Sequence, residues 1–113
     1  MRGLTTHVLD TMHGRPAAGV ALRLLQGDTL MVATATNADG RCDAPLLSGD
    51  EMEPGRYRLE FDVGAYYRAL GVVLPEPAFL ETVVIEFGIA EAGAHFHVPL
   101  LVSPFAYSTY RGS

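Results

Sequence analysis

Polar and apolar residues alternate along much of this chain in short runs with a period of two. In Arg56-Tyr57-Arg58-Leu59-Glu60-Phe61-Asp62, the apolar Tyr57, Leu59 and Phe61 are separated by charges. That pattern predicts a strand with one face on a core and the other in water. Val83, Ile85 and Phe87 repeat it within Thr82 to Phe87, with Glu86 on the other side, and Val20, Leu22 and Leu24 alternate likewise. Leu4 to Thr11, Leu30 to Thr36, His95 to Leu101 and Phe105 to Tyr110 are apolar and β-prone, which brings the predicted set to about seven strands. Asn37-Ala38-Asp39-Gly40 reads as a tight turn with a short eighth strand after it. One segment departs from the pattern. Ala65-Tyr66-Tyr67-Arg68-Ala69-Leu70 holds helix formers and stops at Gly71, predicting a single short helix over about 65–70.

Twelve glycines and seven prolines punctuate the 113 residues, the rhythm of a sandwich or barrel of short strands rather than of a helical bundle. A chain of this length forms one domain with one core, and has little room for a deep cavity of its own. At 49% hydrophobic and 19% charged, it is a packed chain rather than a disordered one. The fold expectation is an all-β sandwich.

Charge narrows the function classes. The net charge of -5 argues against a nucleic-acid partner; all eight basic residues are arginine. No run approaches the roughly 18 apolar residues of a membrane span. The opening Met1-Arg2-Gly3-Leu4 is not an apolar secretory segment. The lone Cys42 excludes an internal disulfide and suits a reducing compartment. Together these predict a soluble cytoplasmic protein with no membrane partner.

The candidate chemistry lies with the histidines. His95 and His97 are two apart on a predicted strand, so both point away from the core that takes Phe96 and Val98. His7 faces outward from the first strand in the same way, opposite to Val8. Outward histidines on two strands, each beside apolar residues, point to a face that something covers, such as another subunit. His13 lies in the turn Met12-His13-Gly14-Arg15-Pro16 and reads as solvent-exposed. His95 and His97 form an H-x-H pair that can ligate zinc, but the sequence supplies no third ligand. Cys42 has no neighbouring base to make it a nucleophile and reads as a small core residue. In an extended segment it points away from Arg41, so the two are not expected to line one site. The stretch from His95 to Ser113 is apolar and aromatic almost to its last residue, unlike a fraying terminus. Pro99 interrupts it with a missing ladder donor.

Three motifs then occur in order. Leu4-Thr5-Thr6-His7-Val8-Leu9-Asp10 with Gly14-Arg15-Pro16-Ala17 opens the chain, and Thr36-Asn37-Ala38-Asp39-Gly40-Arg41 follows in the middle. His97-Val98-Pro99-Leu100-Leu101, continuing to Ser108-Thr109-Tyr110-Arg111-Gly112-Ser113, closes it. Over its whole length the chain resembles the 5-hydroxyisourate hydrolases of the transthyretin-like family. The terminal Tyr-Arg-Gly-Ser separates these hydrolases from the hormone-carrying transthyretins. The departures are Ala106, where the family more often has Gly, and Val63, where Thr is common.

The resemblance implies a β-sandwich of two four-stranded sheets with one short helix. It implies a homotetramer, a dimer of dimers, with active sites in the channel between dimers. Its implied reaction is hydrolysis of 5-hydroxyisourate in urate catabolism, with no cofactor and no metal. Carried over by position, His7, Arg41 and His97 form the catalytic set, with Tyr110, Arg111, Gly112 and Ser113 shaping the substrate site and His95 a neighbour. Two other classes are separable from this one. A transthyretin-like module binding a small ligand without catalysis gains little from the polar set His7, Arg41 and His97. A zinc hydrolase built on His95 and His97 requires bound metal.

Overall fold

The computed structural model describes residues 2–112. Its strands are β1 (Gly3–Asp10), β2 (Arg15–Pro16), β3 (Ala21–Gln26), β4 (Thr29–Ala35), β5 (Leu47–Ser48), β6 (Gly55–Phe61), β7 (Val83–Ile89), β8 (His95–Val102) and β9 (Tyr107–Thr109), with one α-helix, α1 (Val63–Ala69). One sheet runs β2-β1-β8-β9, with β5 also pairing β1; the other runs β4-β3-β6-β7.

Alternation decides what is buried. Leu4 and Val8 of β1, Leu22 and Leu24 of β3, Tyr57, Leu59 and Phe61 of β6, and Phe96, Val98 and Leu100 of β8 fill the space between the sheets. Removing each such side chain from water stabilises the fold by about 1.5–3 kcal/mol. The predicted strand Leu30 to Thr36 is present as β4, but it is an edge strand exposed along almost its whole length. Thr36, just beyond it, is buried; its hydroxyl donates to the Ala17 carbonyl (2.6 Å) and accepts from the Val20 amide (2.9 Å).

The two-sheet sandwich and single helix match the expectation, with three local differences. The first sheet has five strands rather than four, because β2 and β5 each add two residues along the free edge of β1. Segments that short leave no periodicity to read. The helix begins at Val63 rather than near Ala65, with Asp62 in the N-cap position; Val63 is fully buried. Asp62 looks like the end of a strand in sequence, and its carboxylate is taken by Arg23 instead of capping the helix. No ladder strand follows the turn at 37–40; Arg41 makes a single bridge to His7.

β1 and β8 run parallel with Gly3 opposite His95, Thr5 opposite His97 and His7 opposite Pro99. Pro99 is tolerated because the ladder with β9 has already ended, at the Thr109–Leu100 pair. The Thr109 hydroxyl donates to the Pro99 carbonyl (2.7 Å), and the chain rejoins β8 only at Gly112, whose amide donates to the His97 carbonyl (2.7 Å). The proline gap thus decides where the tail returns to the sheet.

Candidate active site

The outward faces of β1 and β8 share one row. Thr5 and His7 alternate with the buried Leu4, Thr6 and Val8, and His95 and His97 alternate with the buried Phe96 and Val98. With the strands parallel and in register, all four polar side chains project from the same side of the sheet.

The turn at 37–40 supplies the third catalytic candidate. The Asn37 side-chain oxygen accepts from the amides of Asp39 (2.9 Å) and Arg41 (3.2 Å). Gly40 adopts φ 75°, open to glycine, and its carbonyl accepts from the Val8 amide at 2.8 Å. The closeness of the backbone there, with the Val8 carbonyl where a Cβ of residue 40 would sit, fixes the turn against β1. Arg41 is thereby placed opposite His7, and the His7 Nε2 lies 2.9 Å from the Asp39 carbonyl oxygen.

His97 is half-buried, with its Nδ1 2.8 Å from the Thr5 hydroxyl. Burial is the main cause that holds its pKa below the ordinary imidazole value, and the charges of Arg41, His7 and His95 act in the same direction. The ring is therefore neutral at physiological pH. Gly112 covers its edge: a Cβ there would lie 2.6 Å from the His97 Cδ2. Beside this group is a cleft of about 170 Å³, bordered by Thr5, Arg41 and Cys42. Arg41 and Cys42 do share a lining, against the extended-chain expectation, because regular strand geometry stops at Arg41. Burial and the nearby Asp43 push the Cys42 thiol pKa up, which leaves it a poor nucleophile.

The other predicted residues divide. Gly112 joins the site. Tyr110, 60% exposed, and Arg111 border, with Ile85 and Val98, a second groove of about 220 Å³. The Arg111 guanidinium lies 4.1 Å over the Phe96 ring, and its Nη2 donates to the His95 carbonyl (3.2 Å). Ser113 lies outside the described residues. Among those residues, no three His, Cys, Asp or Glu side chains converge as metal ligands.

Sequence reading passed over Thr5, whose only signal is its place two residues before His7 on the same face. It also passed over Asp10. That side chain is fully buried and accepts from the Tyr66 hydroxyl (2.7 Å), the Tyr67 hydroxyl (2.9 Å) and the amides of Met12 (3.0 Å) and His13 (3.1 Å). His13 is exposed, as expected of the turn, and its ring Nδ1 also lies 2.6 Å from the same carboxylate.

The model of the HIUase/Transthyretin family matches residues 4–112. The chain belongs to that family. A 5-hydroxyisourate hydrolase of Pseudomonas aeruginosa is 56% identical to it over 117 residues, covering 100% of this chain and 93% of that protein. Among solved structures, an (S)-allantoin synthase superposes with a TM-score of 0.93 at 40% identity, over 99% of this chain but only 44% of the longer one. The 5-hydroxyisourate hydrolase of Klebsiella pneumoniae gives a TM-score of 0.85 at 37% identity, covering 100% of both chains.

Proposed function

We propose that this protein hydrolyses 5-hydroxyisourate, opening its six-membered ring at the amide-like bond to give 2-oxo-4-hydroxy-4-carboxy-5-ureidoimidazoline. The observation that carries the reading is the placement of His7, Arg41 and His97 on one outer face of β1 and β8. Ring opening needs a water deprotonated, an oxyanion stabilised and a proton returned to the departing nitrogen. Imidazoles suit the proton transfers because their pKa values lie near operating pH. Arg41 suits the oxyanion, since a fixed guanidinium stabilises charge as it develops on the carbonyl oxygen. In this mechanism His7 and His97 share the base and proton-shuttle duties, and Arg41 clamps the substrate.

The site is a shallow surface on a single chain, which supports a homotetramer, a dimer of dimers, whose channel between dimers encloses it. Arg111 and Tyr110 serve that channel from the neighbouring groove, and the terminal Ser113 is assigned to the same substrate site by its place in the closing motif. The lone thiol suits a cytoplasmic setting.

The test is to add the protein to freshly oxidised urate and follow the decay of the intermediate spectroscopically. Accelerated decay that is lost in His97→Ala, with a rate that falls on the acid side as the base is protonated, is the expected result. Full activity in His97→Ala, or a flat profile from about pH 5 to 8, would overturn the assignment.

A further inference from the structure

The histidine pair and the threonine between them form a chain of hydrogen-bonding groups whose direction can be worked out. Thr5 Oγ1 lies 2.8 Å from His97 Nδ1 and 3.4 Å from His95 Nε2, the second being the weaker link. At the far end, His95 Nδ1 is buried and has no partner among the described residues. A buried orphan N–H costs more than a buried orphan lone pair, because donors are almost always satisfied in folded proteins and acceptors less strictly so. The His95 proton therefore belongs on Nε2, where it donates to the Thr5 oxygen. The Thr5 hydroxyl hydrogen is then directed to His97 Nδ1, which accepts it. A neutral His97 must carry its own proton on Nε2, a nitrogen that makes no hydrogen bond among the described residues. The reverse direction places a donor on the buried His95 Nδ1 and leaves it unmatched.

The other catalytic imidazole has the same tautomer for a different reason. His7 Nε2 faces the Asp39 carbonyl, which can only accept, so the neutral ring keeps its proton on Nε2 and its lone pair on Nδ1. We propose that Thr5 and His95 are positioning residues that lock His97 as a neutral Nε2–H donor, which leaves His7 as the base. The inference rests on the reading that both histidines act on the substrate, and it divides the work between them.

The step then balances. His7 Nδ1 takes a proton from water as the water oxygen bonds to the ring carbonyl carbon. The carbonyl electron pair moves onto oxygen, where Arg41 and the His97 Nε2–H stabilise it. As the oxyanion collapses, the carbon–nitrogen bond breaks, and the His7 imidazolium returns the proton to the departing nitrogen. His97 begins and ends neutral, in keeping with its burial and its cationic neighbour.

Nitrogen-15 NMR of the imidazoles at neutral pH reads the tautomer directly, without activity. The expected result for the intact protein is a His97 ring protonated at Nε2 and bare at Nδ1. Thr5→Val, which keeps the shape and removes the hydroxyl, should mix the His97 tautomers and lower kcat by about 10–100-fold with KM nearly unchanged, a loss of the order seen when the partner orienting a functional imidazole is removed. Thr5→Ser should restore both. A wild-type His97 protonated at Nδ1, or Thr5→Val with wild-type kcat, overturns this inference. Full activity in His97→Ala overturns instead the reading beneath it.

Discussion

β1 and β8 carry two polar groups at opposite ends, and the two are built on opposite principles. At the Asp10 end, a fully buried carboxylate has every neighbour turned toward it: two tyrosine hydroxyls, two backbone amides and the His13 ring. Burial alone would raise the Asp10 pKa, but the hydrogen bonds from His13, Tyr66, the His13 amide and Tyr67 outweigh it and hold it low. Burial and Asp10 in turn push Tyr66 up to about 12, so it stays a donor. At the His97 end, a half-buried imidazole has one close partner among the described residues, Thr5, and its other nitrogen makes no hydrogen bond to them. The first group is inward-facing and saturated; the second is outward-facing and left with capacity to bind. The difference is one of register parity, since Asp10 shares its face with Leu4 and Val8 while Thr5 and His7 take the other.

The largest effect should come from breaking the saturated end. Asp10→Ala leaves the buried Tyr66 hydroxyl without its acceptor and removes the acceptor of the Met12 and His13 amides, while Tyr67 keeps the Val102 carbonyl (2.9 Å); it should cost about 3 kcal/mol in denaturant unfolding, with the folded fraction still active. A cost below about 1 kcal/mol would show that the hub is not a stabilising unit. The same hub sets an acid limit. A carboxylate with a depressed folded pKa contributes stability above its unfolded value of about 3.9, and that contribution is lost as pH falls through the lower folded value.

At the open end the effect should move from stability to rate. Arg41 is exposed, so Arg41→Gln should change stability by less than about 0.5 kcal/mol. It should lower kcat/KM by about 10²–10³, the scale of losing one oxyanion donor. Parallel loss of stability and rate would erase the contrast between the two ends. Gly112→Ala refines it further. The added methyl must displace the His97 ring, and a misplacement of a fraction of an ångström should cost about tenfold in kcat. A variant with wild-type kcat would mean that the tail does not hold the ring.

What was legible in the sequence follows the same parity. The strands that carry the core, and the outward direction of His7, His95 and His97, could be read because alternation over six to eight residues is a strong signal. The two-residue strands β2 and β5 could not, being shorter than one full alternation cycle with any margin. Asp10 was hidden for a physical reason: a carboxylate in a β-strand next to a turn reads as a surface residue, and it is the tertiary approach of Tyr66 and Tyr67 from α1 that completes its burial with partners. The direction of the Arg111 side chain was hidden too. Its guanidinium goes to the Phe96 ring, a choice set by the detour of the chain around Pro99 and not by its neighbours in sequence.

The open end keeps His97 uncharged, through burial first and the Arg41 charge second. An NMR titration of the His97 ring in the wild type and in Arg41→Gln tests it directly. The expected wild-type pKa lies below the ordinary value of about 6.5, and it should rise in Arg41→Gln but stay below that value because burial remains. A wild-type His97 that titrates at or above it, or a pKa that does not move when Arg41 is removed, would show that burial and the Arg41 charge do not hold the ring neutral.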